Sequence, residues 1–244
     1  MKFSSPLLML AALFGLVQAV IVPTRAADEL PVAPFVAQYT VYGKGVPLGE
    51  AMLKLSDVGD GRYRMWSDVR PSGLAALLVS DQISEQAEGE FYDGAPHPLR
   101  YEQQRQKNKE TMVTRLEFDW RSNTLRASSN GDSATLQLSP RVVDPLSLHL
   151  LVMGDLQRGR AADAYTLVDD TELRTYQVSY DGEETLDTPL GSLRAVRISR
   201  HRSGSSRITR LWFAPKFDYL PVRITQYKNG EENLSMEIKQ VDGR

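Results

Sequence analysis

From residue 35 to the C-terminus, apolar and polar residues alternate in short runs interrupted by Gly, Pro, Asn and Asp, the pattern of half-buried β-strands joined by turns. Residues 35–42 are β-branched and aromatic, and residues 43–49 break them. Ala51, Leu53 and Leu55 then mark one face of a second strand, and Tyr63, Met65 and Val69 one face of a third. Ile83, Ala87 and Phe91 share a parity in a weaker strand, with Glu85 and Gly89 between them. Residues 98–105 and 111–120 read as a hairpin about Lys107-Asn108-Lys109. Asn130-Gly131 suits the positive φ angles of a two-residue hairpin turn. From Tyr165 the strand signal continues to the end, giving about fifteen strands at the spacing expected of a sandwich, barrel or large curved sheet.

Two segments depart from the alternation. Residues 145–158 read as a helix: Asp144 can cap it, Pro145 fits its first position, Leu146, Leu150 and Met153 share a face, and Gly159 can end it. Residues 74–79 form an apolar run without alternation, read as a short helix or an inserted loop. The expected fold is therefore mainly β: a large antiparallel curved sheet or open barrel of meandering hairpins with one or two short helices. Within it residues 206–228 stand out as two arms about a stiff turn, with aromatic residues at the centre and Pro215 and Pro221 suited to a bend or an edge.

The N-terminus changes the picture. Lys2, the apolar run 7–22 and the small residues near Ala26 and Ala27 describe a secretory signal peptide over residues 1–27, with the cleavage site at Ala26 or Ala27. A retained anchor would need about 20 apolar residues, and this run contains Gln18 and meets Pro23 and Arg25. The remaining residues, 28–244, read as a single β-rich domain placed in the periplasm. With no cysteine in the sequence, disulfides, thiol catalysis and a lipid-modified cysteine are all excluded.

Charge adds a partner question. Without residues 1–27 the chain carries 27 basic against 31 acidic residues, which gives nucleic-acid binding no support. The charges are segregated: between Arg194 and Lys228 nine basic residues face Asp218 alone, and between Asp163 and Asp187 eight acidic residues face Arg174 alone. Cross-strand pairing of neighbouring arms accounts for this, at about 0.2–1 kcal/mol per pair; an anionic partner also would.

Catalytic signals are sparse. His97, His149 and His201 are the only histidines, and none accompanies a Gly-x-Ser-x-Gly elbow. The sequence has no paired-His spacing and no EF-hand loop, and Asp57 to Gly61 reads as a turn before it reads as a Ca²⁺ site. The expectation is a chain without catalytic residues, metal or cofactor.

Several motifs together resemble a known family. Gly49-Glu50-Ala51, Ser72-Gly73-Leu74-Ala75-Ala76-Leu77-Leu78, Pro98-Leu99-Arg100-Tyr101, Asp144-Pro145-Leu146-Ser147, Thr188-Pro189-Leu190-Gly191, Leu211-Trp212-Phe213-Ala214-Pro215 and Tyr219-Leu220-Pro221-Val222-Arg223 are similar to the family catalogued as domain of unknown function 3108. The resemblance implies exported bacterial proteins, mostly antiparallel β, with no catalytic site to carry over. At fold level the chain is also similar to periplasmic lipoprotein-carrier proteins, whose curved sheet and helical lid hold acyl chains. The expected function is a non-catalytic binding or assembly factor in cell-envelope biogenesis, holding a lipid or acyl ligand or an outer-membrane-bound client; the alternatives are a protein-only chaperone or scaffold and, third, an envelope hydrolase. Candidate binding residues are Leu74, Leu77 and Leu78 as an apolar lid, Trp66 and Trp212 as aromatic surface, and Arg197, Arg210 and Arg223 as a basic face. No integral membrane segment is expected in the mature chain.

Overall fold

A computed structural model describes residues 30–77, 81–108, 110–159 and 161–243; the proposed signal peptide lies outside them. Among the described residues the chain forms fourteen strands, one fewer than the sequence suggested. The first eight are β1 (Phe35–Gly43), β2 (Val46–Gly59), β3 (Arg62–Pro71), β4 (Gln82–Tyr92), β5 (Ala95–Lys107), β6 (Glu110–Asp119), β7 (Thr124–Ser129) and β8 (Asp132–Gln137). Helix α1 (Ser147–Gln157) follows, then β9 (Ala164–Asp169), β10 (Glu172–Thr188), β11 (Gly191–His201), β12 (Arg207–Ala214), β13 (Leu220–Lys228) and β14 (Glu231–Asp242).

All fourteen belong to one antiparallel sheet in the order β8-β7-β6-β5-β4-β3-β2-β1-β14-β13-β12-β11-β10-β9. Each hairpin pairs with the next, as short connections favour. The single non-sequential pairing, β1 with β14, joins the N-terminal eight strands to the C-terminal six. The sheet rolls without closing into a barrel. Its edges approach each other where the Ser129 hydroxyl donates to Asp170 (3.0 Å), and Val143, on the strip that follows β8, bridges in parallel to Leu167 of β9.

The turns follow local chemistry. Asn130 and Gly131 take φ of 50° and 96°, as the hairpin signal required. The turn expected over Asp57 to Gly61 is confined to Asp60 and Gly61, because residues 57–59 still pair as the end of β2; there the Asp57 carboxylate accepts from the Gly59 N–H at 2.7 Å. The 206–228 stretch is the β12–β13 hairpin around a 3-10 turn, Pro215–Phe217. Pro221 does not sit on a sheet edge, because β13 lies between β12 and β14. It is accommodated instead beside a register shift at Trp212/Phe213, and its carbonyl accepts from the Tyr39 hydroxyl at 2.8 Å.

Helix α1 differs from the one-faced reading. Ser147, Leu148 and every residue from Leu150 to Leu156 are buried, because the rolled sheet surrounds the helix rather than meeting one side of it. A helix apolar on all sides is stable only in such a setting. Asp144 does satisfy its N-terminus: one carboxylate oxygen accepts from the Leu146 and Ser147 N–H groups, each at 2.8 Å, and the other from the Ser147 hydroxyl at 2.6 Å. The Tyr63 hydroxyl lies 2.8 Å from that of Ser147, so the cap is tied to β3. Gly89 makes room for this tyrosine, since a Cβ there would fall 2.5 Å from the Tyr63 hydroxyl oxygen. At the other end Asp155 is buried and accepts from Arg141 (2.5 Å), Arg158 (2.7 Å) and the Tyr165 hydroxyl (2.9 Å). The helix is thus pinned at both ends.

Candidate functional site

The alternation that buries one face of most strands leaves polar residues on that face near one end of the rolled sheet. β3, β9 and β11 end there, and β10, β12 and β14 begin there; between their walls and the first turn of α1 is a cavity of about 420 Å³. Its apolar lining includes Leu53, Val69, Leu146, Leu211, Ile224 and Met236. Its polar lining includes Glu85, Gln103, His149, Asp169, Tyr176 and Arg200. That volume lies in the range of about 300–1,000 Å³ typical of small-molecule sites, and mixed apolar walls with a few polar groups are their usual composition.

Each polar group has a distinct state. Glu85 accepts from the Tyr101 hydroxyl (2.6 Å) and the Gln103 amide (3.2 Å) on the β4–β5 wall. Asp169 pairs with Arg174 at 3.5 Å. The Arg200 guanidinium lies over the Tyr176 ring, 5.4 Å from its centroid, and its Nε is buried without a hydrogen-bond partner. Burial, followed by the charge of Arg200, lowers the His149 pKa to about 4, so the imidazole is neutral near pH 7. Burial also raises the Asp144 carboxyl, behind the cavity floor, to about 6.

The residues singled out in the sequence fall in three places. Leu74 and Leu77 belong to a 3-10 turn, Gly73–Leu77, that directly follows β3 and lies against β2; Leu78 is outside the described residues. Because β3 carries Val69 into the cavity wall and ends at Pro71, this turn is at the cavity's end of the sheet. Trp66 is on the outer face of β3, with Lys54 and Arg64 over its ring, bordering an open groove of about 560 Å³. The groove's charges pair with one another, as in Arg64–Glu88 at 2.6 Å and Arg115–Glu102 at 2.8 Å, as expected of a solvated sheet face. Four strands separate β3 from β12, so Trp66 is not joined to the other candidates.

Trp212, Arg197 and Arg223 are directly cross-strand from one another on the outer face of β11, β12 and β13. Glu184 accepts from Trp212 Nε1 (2.5 Å) and Arg197 (2.9 Å), and Glu237 pairs with Arg223 at 3.1 Å. Arg194 pairs with Glu183, and Arg174 with Glu172 at 3.1 Å. Much of the charge segregation is therefore neighbouring arms neutralising each other. This packing also explains why Trp212 is buried on an outer face: Arg223 lies over its ring and Glu184 takes its N–H. Arg210 stacks on Tyr227, 4.8 Å from the ring centroid.

Cavity residues that the sequence reading did not select are Glu85, Gln103, Asp169, Tyr176 and Arg200. Glu85 carried a signal, because it occupies the inward parity of Ile83, Ala87 and Phe91. Arg200 likewise continues the parity of Val196 and Ile198. His97 is stacked between Tyr92 (4.9 Å) and Trp120 (4.3 Å), and His201 is exposed. Among the described residues no group of three or more His, Asp or Glu side chains is placed to hold a metal. No described helix is long and apolar enough to cross a membrane.

Comparison with one solved structure supports the fold. A β-barrel-like protein of the domain of unknown function DUF1849 from Brucella abortus superposes with a TM-score of 0.57 at 12% identity, covering 88% of this chain and 100% of that one. A candidate lipoprotein from Parabacteroides distasonis matches with a TM-score of 0.34 at 10% identity, covering 87% of this chain and 96% of that one. A candidate exported protein with a YmcC-like fold from Bacteroides fragilis matches with a TM-score of 0.32 at 11% identity over 85% and 95% of the two chains. No curated protein matches the sequence. The family model for the protein of unknown function DUF3108 matches residues 38–238, and the chain belongs to that family.

Proposed function

We propose that this chain is an exported, non-catalytic binding protein of the bacterial cell envelope that holds a lipid or acyl ligand, free or as part of an outer-membrane-bound client, at the open end of its sheet. The observation that carries the reading is the cavity of about 420 Å³ left between the rolled sheet and the first turn of α1, with apolar walls and a few polar groups. A packed interior would have offered no such space. The N-terminal pattern of Lys2 and the apolar run 7–22 supports export to the periplasm. The dispersed environments of His97, His149 and His201 favour binding over acid–base hydrolysis. The Gly73–Leu77 turn, which follows β3 at the same end, is the segment we assign to covering the opening.

Native mass spectrometry of protein purified from the periplasm tests this. A co-purifying lipid or acyl species is the expected result. Protein that emerges empty and takes up no amphiphile when challenged overturns the lipid reading. A protein-only scaffold has one observation in its favour, the edge strand β8, which could accept an added strand. In-cell crosslinking that captures a protein through β8, with no lipid at the cavity, would select that reading instead.

A further inference from the structure

Arg200 is set apart from the other arginines of the inner face. Arg174 and Arg105 each have a carboxylate, Arg174 with Asp169 (3.5 Å) and Glu172 (3.1 Å), and Arg105 with Asp81 (3.0 Å). Arg200 forms none of the ion pairs seen among the described residues. Asp169 is near enough to act on its charge but is engaged by Arg174 and, at 3.4 Å, by the Tyr176 hydroxyl. The Arg200 Nε, like those of Arg105 and Arg174, is shielded from solvent without a hydrogen-bond partner among the described residues, so what distinguishes Arg200 is the missing carboxylate. Among the described residues its aromatic support is the Tyr176 ring. Arg200 as a whole is half-buried, and a guanidinium held in a cavity wall without an anion gains charge-assisted hydrogen bonds when an anion arrives and accepts its N–H groups.

The rest of the cavity says where such an anion would sit. Glu85, on the β4–β5 wall, is already held by Tyr101 and Gln103, and its charge repels an anion from that side. His149, beside Arg200, adds a neutral ring rather than a competing charge. Leu53, Val69, Ile224 and Met236, on β2, β3, β13 and β14, supply apolar wall away from Arg200. The site therefore has one cationic pole and one apolar region within a single open-ended cavity.

Building on the binding function proposed above, we infer that the cavity takes a single-chain amphiphile with an anionic head, carboxylate or phosphate, whose head is held by Arg200 and whose chain lies along Leu53, Val69 and Met236. The specificity is for the sign of the head group. The basic outer row of Arg197 and Arg223 takes no part, because its charges are neutralised by Glu184 and Glu237.

Calorimetric titration of the wild-type protein with laurate, lauryl phosphate, lauryl alcohol and laurylamine, each below its micelle threshold, tests the inference. Laurate, lauryl phosphate or both should bind about ten- to a hundredfold more tightly than the alcohol, the advantage of a charged over a neutral hydrogen bond, and the amine most weakly. The tighter of the two anions identifies the head group. In Arg200→Gln the anion and alcohol should become equal within about twofold, while Arg200→Lys should keep part of the preference. Equal binding of anions and alcohol by the wild type, or tightest binding of the amine, overturns the role of Arg200 and leaves the lipid-binding function standing. Binding of none of the four overturns both. Circular dichroism checks that each variant is folded; should Arg200→Gln unfold, the wild-type contrast and Arg200→Lys still decide.

Discussion

Replacing Asp144 by Asn and, separately, His149 by Gln should tilt the pH dependence of stability in opposite directions. Burial raises the Asp144 carboxyl from 3.8 to about 6. Between those values the folded chain keeps a proton that the unfolded chain has lost, so stability is fullest below 3.8 and falls as pH rises through about 6. At about 1.4 kcal/mol per pKa unit the loss is about 3 kcal/mol. His149 works the other way. Its folded value is pulled from 6.5 to about 4, so between these the unfolded chain holds the extra proton, and stability is full above 6.5 and falls as pH drops through about 4. That loss is also about 3 kcal/mol, and in the wild type the two slopes largely offset each other. Urea unfolding at about pH 3.5 and about pH 7 reads both. Relative to wild type, Asp144→Asn should gain about 3 kcal/mol on going from the lower pH to the higher, because Asn still caps the helix and never ionises. Relative to wild type, His149→Gln should gain about 3 kcal/mol in the reverse direction. Every other titrating group cancels in these differences. If either variant shifts by less than about 0.5 kcal/mol between the two pH values, or the signs are exchanged, burial does not govern these groups as argued.

Three further changes probe the packing and charge pairs of the fold. Gly89→Ala puts a methyl 2.5 Å from the Tyr63 hydroxyl oxygen and 2.6 Å from the His97 carbonyl oxygen. It should cost about 1–3 kcal/mol in urea unfolding, as overpacking does, and a variant as stable as wild type would refute the close approach. Asp155→Ala strands Arg141, Arg158 and the Tyr165 hydroxyl. The expected cost is about 3 kcal/mol, the low end for breaking a buried pair because both arginines are partly solvated, and a change under about 1 kcal/mol would show that Asp155 does not pin the helix. Trp212→Phe removes the first of the hydrogen bonds that hold the Glu184 carboxyl below its usual range, so an NMR titration should find Glu184 ionising at higher pH in the variant; an unmoved value refutes that assignment.

Much of the sheet was legible because strand formation is a local matter of parity and turn chemistry. Asn130-Gly131 set its own hairpin, Ala51, Leu53 and Leu55 named their inward face, and Asp144 announced the start of α1. The cavity was less visible. Glu85 and Arg200 follow the inward parity of their strands, but whether an inward polar residue meets water, a partner or an empty space depends on strands far away in sequence. Trp212 illustrates the same limit from outside: its parity places it outward, and only the neighbours Arg223 and Glu184, brought alongside by strand pairing, bury it. The candidate residues Trp66 and Trp212 were grouped by type; the strand order separates them.

By itself the sequence determined the β character of the chain, most of its turns, the capped helix, the absence of thiol chemistry and the export signal's pattern, all of which are written in residues close together. The tertiary structure decided what lies inside. The pairing of β1 with β14 rolls two runs of hairpins into one sheet, and the roll places α1 where all its faces are covered. The helix fills one length of the interior and leaves the other as a cavity holding Arg200 without a carboxylate of its own. Both outcomes rest on contacts between residues more than a hundred positions apart, such as Tyr39 with Pro221, which no local pattern can specify.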